Sequence, residues 1–467
     1  MSFVSIEFAV LFATLLGALT VVRSPAGRKI LLLAVSCVFY AYWDWRFLGL
    51  LAVVTVVDYH VARALDITSA PHHRRLFLAV SVVTNLGLLF FFKYFNFFLD
   101  SLNLLLARGG GRLEPWHIIL PIGISFYTFE TLSYVIDVYR RVTPSARSIL
   151  DYAIFITFFP RLVAGPIMRG QQFLPQLERG IPLTLDNLVV GAQIFVRGLL
   201  KKLVVADNVA VLVDQVYKAP GVFSTATVWL AVFAYSVQIL CDFSGYTDMA
   251  VGLGRVLGFT LPRNFDLPYT SQSITEFWRR WHITLSTWLR DYLYIPLGGN
   301  RRGRARAQIN LLLTMLLGGL WHGASWNFVL WGGLHGAYLA IERLLRGQGR
   351  TAPANWRTVP AWVTAAGVFV LVSVTWVFFR SPSAATTVAI WRKLLFVDAA
   401  GIDWMFVPAL LAVPAMVGGG GLARLFRWSF PVFPLRSPAA LPALALGVLL
   451  VYLFAALDVS PFIYFQF

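Results

Sequence analysis

The chain has 467 residues, 58% of them hydrophobic and 13% charged, with a mean hydropathy of +0.70; soluble domains carry about a quarter charged residues, so an ordinary soluble globular protein is excluded. The net charge is +17, from 39 Lys and Arg against 22 Asp and Glu; the basic residues sit in short loops between apolar runs, which marks membrane topology and not a nucleic-acid surface. Cys37 and Cys241 both lie in apolar runs and form neither a disulfide framework nor a metal motif.

Apolar segments near the ~20 residues of a membrane crossing recur from end to end, so the chain is expected to be polytopic and to lie in a lipid bilayer. The first, residues 3–22, starts without a basic n-region or a small-residue cleavage site and reads as a retained span. Arg23, Arg28 and Lys29 follow it and assign residues 23–29 to the cytoplasm, which leaves the N-terminus extracytoplasmic. A return pair near 30–42 and 47–61 bends at "WDWR", and the basic stretch 63–75 is again cytoplasmic. Further segments are expected near 76–99, 118–138, 149–167, 188–205 and 222–257. A special region, 270–341, precedes three spans near 360–379, 403–419 and 438–457. This gives an all-α polytopic protein of eleven to thirteen membrane segments. The longest polar stretch, 347–357, is too short for a soluble domain, and no repeat emerges.

Asp242 and Asp248 in "DFSGYTDM" lie in an apolar segment, so they are expected to be paired or to line a polar cavity. Arg161, beside Pro160, is a candidate partner for one of them.

Residues 270–300 read "TSQSITEFWRRWHITLSTWLRDYLYIPLGGN". Ser273 with Glu276 three residues later forms a capping-box pattern. Trp278, Trp281, His282, Leu285, Trp288, Leu289 and Tyr292 then recur at helical spacing, while Arg279, Arg280, Arg290 and Asp291 lie mostly off that stripe. An interfacial amphipathic helix with an aromatic belt accounts for every member of the stripe except His282. The basic run "RRGRAR" follows. Arg301 and Arg302, with Arg304 and Arg306, serve there either as a topology signal or as a clamp for donor phosphates.

Residues 307–341 contain no Asp, Glu, Lys or Arg but two histidines, His322 and His335. As one helix the 35 residues would reach ~52 Å, against a hydrocarbon core of ~30 Å. Arginines flank both ends, so a hairpin or a broken pair of helices with both ends cytoplasmic is expected. His322 then lies deep, between the midplane and the turn. A deep histidine is either functional or polar glue between helices. Trp321 and Trp326 are placed to wall such a site. His335 is assigned to the glue role.

"FWRRWHITLSTWLRDYLYIPLGGNRRG" and "GGLWHGASWNFVLWGGLHG" together resemble the membrane-bound O-acyltransferase superfamily, and within it the bacterial alginate O-acetyltransferase branch. "LPIGISFYTFETLSYVIDVYR" (120–140), "FFPRLVAGPIMR" (158–169), "YSVQILCDFSGYTDMAVGLGRVLGF" (235–259) and "TWVFFRSPS" (375–383) agree in order. The resemblance implies one membrane-embedded domain over 1–467, with re-entrant segments and a central funnel or tunnel. Its catalytic core would span about 118–345, flanked by membrane helices in 3–99 and 360–457. It implies a bacterial inner-membrane enzyme with His322 as the essential histidine and His282 at the second position. It implies acetyl transfer from a cytoplasmic donor, with acetyl-coenzyme A expected and no permanently bound cofactor or metal. The acetyl group would pass through a periplasmic or extracellular serine-type acetyltransferase to a polysaccharide such as alginate. Peptidoglycan O-acetylation and D-alanyl transfer to teichoic acid are the alternatives within the superfamily. A transporter or flippase is the alternative outside it, but the inverted repeats it calls for are not visible.

For such chemistry a neutral histidine suits a general base, worth ~10²- to 10⁴-fold. His322 is the candidate base. His282 is a candidate to orient or polarise the donor carbonyl, or only to hold its helix. Direct transfer and a transient acyl-His322 both remain open.

Overall fold

The computed structural model describes residues 1–106, 111, 113–346, 359–417, 432–456 and 460–463. Among them the regular structure is helical, with one isolated bridge between Phe223 and Ile402. Among the described residues, five helices are long and apolar enough to cross a membrane: Pro25–Asp44, Phe47–Ile67, Pro71–Leu106, Thr225–Val256 and Ala361–Arg380. Ile6–Val21, Val407–Met416 and Ala440–Phe454 are shorter apolar helices. The protein is an all-α polytopic membrane protein. It forms two compact units, Met1–Ala192 with Met249–Pro262, and Gln193–Asp248 with Arg263–Phe467. The polar stretch 347–357, with Arg350, lies outside the described residues.

In the first unit α1 (Ile6–Val21) starts at Ser5, whose hydroxyl accepts from Phe8 N–H. α2 (Pro25–Asp44) has Pro25 in its first turn, where the missing N–H costs nothing. The expected bend at "WDWR" is present: Asp44 and Arg46 pair there before α3 (Phe47–Ile67). α4 (Pro71–Leu89) passes through a widened turn, Phe90–Tyr94, into α5 (Phe95–Leu106). α6 (Ile124–Tyr139) is buried along most of its length. Asp58 on α3 is sealed and satisfied by Ser81 at 2.6 Å and Asn85 at 2.8 Å on α4.

The expected span near 149–167 is broken. α7 (Ile149–Thr157) stops at Phe158, and α8 (Phe159–Leu162) restarts with Pro160 in its first turn. Proline has no N–H for the α7 ladder and clashes with the preceding turn, so the chain turns there. α9 (Gly170–Glu178) follows.

α10 (Leu185–Leu199) leads through a second widened turn, Leu200–Ala206, to α11 (Asp207–Lys218). α12 (Thr225–Val256) has 32 residues, or ~48 Å, longer than one straight crossing needs. In the second unit the stretch expected as one amphipathic helix is two, α13 (Ile274–Arg280) and α14 (Ile283–Leu289). They are separated by Trp281 and by His282, which has φ +41°. The capping box is also offset: Ser273 accepts from Glu276 N–H, but the Glu276 carboxylate accepts from Gln272 N–H.

α15 (Arg304–His322) and α16 (Trp326–Arg346) form the expected hairpin, turning at 323–325. Their backbones touch. A Cβ on Gly319 would lie 2.2 Å from the Phe328 carbonyl oxygen, and one on Gly332 2.2 Å from that of Met315. At the open end Arg343 donates to Asn300 at 2.8 Å and to Tyr294 at 3.2 Å. α17 (Ala361–Arg380) follows, then α18 (Ala384–Leu394), α19 (Val407–Val417) and α20 (Ala440–Phe454). Hydropathy does not reveal α18, because polar Thr386, Thr387, Arg392 and Lys393 dilute its apolar stripe.

Candidate active site

His322 is the last residue of α15, where the hairpin turns, and is 5% exposed. Its ring is caged edge-to-face by Trp321 at 5.0 Å, Trp331 of α16 at 5.1 Å and Phe379 of α17 at 5.2 Å between centroids. His282 lies 6.4 Å from it, centroid to centroid. Trp321 also faces His282, at 6.0 Å. The two histidines that the sequence singled out are thus brought together in the second unit.

His282 is fully buried, against Phe243 of α12 at 4.8 Å. Its left-handed backbone is costly for a residue with a Cβ, about 1–2 kcal/mol. A neighbouring strap holds it there: Ile283 N–H donates to Asn264 C=O at 2.9 Å, and Asp266 N–H donates to Arg280 C=O at 3.0 Å. The Asn264 side-chain oxygen meets Thr284 N–H at 3.2 Å, the Thr284 hydroxyl at 2.7 Å and Nδ1 of His282 at 3.2 Å. The break moves His282 out of the helical stripe and lets Asn264 reach it. α13 and α14, seven residues each, are too short to cross a membrane. Burial pushes the His282 imidazolium down to about 3, so the ring is neutral.

His335 is fully buried and its Nε2 lies 2.9 Å from the Thr375 hydroxyl on α17. That is the interhelical glue expected of it.

Trp321 is buried at 3%, whereas Trp326 opens α16 with 56% of its surface exposed. Asp242 pairs with Lys202 at 2.8 Å and accepts from Ile463 N–H at 2.9 Å. Asp248 holds Arg197 at 2.9 Å and Lys201 at 2.6 Å. Both acids are therefore paired. Arg161 pairs with neither. It belongs to the first unit, where it bonds Glu130 and the Phe155 carbonyl and stacks on Phe155 and Phe173. Glu130 on α6 is the nearer buried acid, and it also accepts from Met168 N–H at 3.2 Å. Arg301 and Arg302 lie in an exposed turn before α15. Among the described residues no cluster of His, Cys, Asp or Glu suits a metal ion. A cleft of about 510 Å³ in the first unit, lined by Arg46, Phe91, Trp116 and His117 among others, holds neither His282 nor His322.

Asn264, Phe243, Trp331 and Phe379 escape the sequence reading. The last three are indistinguishable from lipid-facing aromatics in their runs. Asn264, a lone amide in "PRNFDLP", carries a weak signal.

A family model for the membrane-bound O-acyltransferase family matches residues 137–380, which include both histidines. The chain is 40% identical, over an alignment 513 positions long, to a probable alginate O-acetylase AlgI of Azotobacter vinelandii, covering 100% of each. It is 46% identical over 387 residues to a probable alginate O-acetylase AlgI of Pseudomonas aeruginosa, covering 82% of this chain and 72% of that one. A peptidoglycan O-acetyltransferase of Helicobacter pylori is 37% identical over 399 residues, covering 80% of this chain and 75% of its own.

Proposed function

The chain belongs to the membrane-bound O-acyltransferase family, and from that premise we propose that it carries acetyl groups from cytoplasmic acetyl-coenzyme A across a bacterial inner membrane for O-acetylation of an exported polysaccharide. It is an acyltransferase and a multi-pass membrane protein. Alginate is the polysaccharide that its relatives' names favour. The observation that carries the reading is the pair of buried histidines, 6.4 Å apart, inside a cage of rings. Buried imidazoles inside an aromatic cage suit acyl transfer. A hydroxyl attacks the thioester carbonyl, a histidine takes its proton, and the C–S bond breaks with the proton passing to sulfur. His322 is proposed as that base.

The described residues offer no soluble domain to hold a long polymer. The phosphates of the coenzyme make its own passage through lipid very costly. The acetyl group is therefore proposed to reach a serine-type acetyltransferase outside the membrane, which modifies the polymer. The similarity to a peptidoglycan O-acetyltransferase favours peptidoglycan as the second acceptor reading.

The test is reconstitution in vesicles, with acetyl-coenzyme A inside and polymer outside. Acetylation should need the partner, and alginate should outperform peptidoglycan fragments. Efficient polymer acetylation by this chain alone would show a complete transferase and refute the relay.

A further inference from the structure

We infer that Asn264 is a positioning residue of the transfer reaction, which fixes His282 as a hydrogen-bond acceptor toward the reacting groups. This rests on the acyl-transfer reading above. Thr284 N–H is a backbone donor and points at the Asn264 side chain at 3.2 Å, so the Asn264 atom it meets is the oxygen. The Thr284 hydroxyl donates to the same oxygen at 2.7 Å. An amide oxygen is acceptor only, so Nδ1 of His282, 3.2 Å away, carries the ring hydrogen. A neutral imidazole has one N–H. Nε2 of His282 is therefore the lone-pair nitrogen.

The rest of the local structure serves that arrangement. Asn264 is 1% exposed. Its backbone carbonyl accepts from Ile283, the residue after His282, at 2.9 Å. Main chain and side chain of one residue thus hold His282 in its left-handed conformation. The Asn264 amide nitrogen is buried without a hydrogen-bond partner. Turning the amide over would set that NH2 against Thr284 N–H, donor against donor. The amide is held for what its oxygen does, and the orphaned nitrogen is the cost. Strained backbone held by its surroundings is typical of active sites.

The consequence for mechanism is specific. With its N–H on Asn264, neutral His282 has no donor left to polarise a carbonyl. Its part is to receive. As the new O–C bond forms and the C–S bond breaks, the hydroxyl proton moves through the histidine pair to the leaving sulfur. The Nε2 lone pair accepts from the hydroxyl or from protonated His322, and Asn264 steadies the charge that forms. Asn264 meets Nδ1 of His282, and the rings of Phe243, Phe265, Trp321 and His322 pack against it, His322 being the ionisable side chain among these.

Two measurements on the full chain in vesicles test this. In ¹⁵N-histidine NMR, the signal lost in His282→Gln should report a protonated Nδ1, and Asn264→Ala should shift it toward the other tautomer. A wild-type signal with hydrogen on Nε2 would overturn the inference, whether or not the protein uses acetyl-coenzyme A. With acetyl-coenzyme A as probe, Asn264→Ala should lower kcat by about 10²-fold while KM stays within about 2-fold. Asn264→Asp keeps the acceptor and should recover most of kcat. Its carboxylate favours the imidazolium, so the loss of rate on acidification should begin at higher pH than in wild type. Wild-type kcat and an unmoved pH profile in both variants would refute the role. Failure of every chain, wild type included, to use the donor would sink the acyl-transfer reading and leave the NMR result standing.

Discussion

His282 and His322 lie 6.4 Å apart, ring centroid to ring centroid, although 40 positions separate them in the chain. One sits in a break between two short helices, the other at the tip of a hairpin. Neither place is set by helix periodicity, and each depends on contacts from elsewhere in the second unit.

Removing either ring should therefore stop transfer without stopping folding. His322→Ala and His282→Ala should each lower acetyl transfer by ~10²- to 10⁴-fold, with the protein still recovered from membranes. His335→Gln removes the Thr375 contact and no part of the pair. It should melt earlier yet keep most of its transfer per folded molecule. The check is polymer acetyl content in cells that carry only the variant. Normal acetyl content with His322→Ala would refute the assignment.

The hairpin that presents His322 depends on Gly319 and Gly332. A methyl group on Gly319 would fall on a backbone oxygen that cannot swing away. Overpacking typically costs about 1–3 kcal/mol. Gly319→Ala should lower the unfolding midpoint in detergent and reduce transfer together, because the helices must separate at the turn that carries His322. Gly49→Ala meets nothing within 4 Å and is the control. Equal melting of the Gly319 and Gly49 variants would show that the close approach is not required.

The two open ends of the hairpin share one side, as the Arg343 bonds to Asn300 and Tyr294 require. The flanking arginines assign that side to the cytoplasm. With Cys37 and Cys241 first replaced by Ala, Arg301→Cys and Arg343→Cys should both resist a membrane-impermeant thiol reagent added outside intact cells. Labelling of one alone would split the hairpin across the membrane. Labelling of both would invert it.

Much of this architecture is legible because a membrane crossing demands a long apolar run. The bend at "WDWR" and the hairpin over 307–341 follow from length, charge and glycine content alone. The break at His282 does not. Trp278 and Trp281 before it, and Leu285, Trp288 and Leu289 after it, continue one aromatic rhythm across a left-handed residue that leaves hydropathy unchanged. Only hydrogen bonds from Asn264 reveal it. Pairing was legible in kind but not in partner. Asp242 in an apolar helix had to be satisfied, yet nothing in the linear order favoured Lys202 over Arg161. In the same way the acid that Arg161 does meet, Glu130, looked like one polar residue in an apolar segment.

Lys202 is the centre of a buried charge cluster. Its ammonium lies 2.8 Å from Asp207 and 2.8 Å from Asp242, all three side chains 2% exposed. It also donates to the Ser460 carbonyl at 2.8 Å, while Asp242 accepts from Ile463 N–H at 2.9 Å. The cluster thus ties residues 460–463 to α12, one residue from Phe243, which touches His282. Removing the cation leaves two carboxylates facing each other out of reach of water. Breaking a buried pair on one side costs about 3–5 kcal/mol, whereas neutralising all members costs far less. Lys202→Met should therefore destabilise the protein severely. Adding Asp207→Asn and Asp242→Asn should restore most of the unfolding midpoint in detergent, because no uncompensated charge remains. Transfer should return with it, since the cluster supports the site and holds no reacting atom. A Lys202→Met protein that melts like wild type would show that the acids are neutral or water-filled, and a stable but inactive triple variant would place the charges in the chemistry itself.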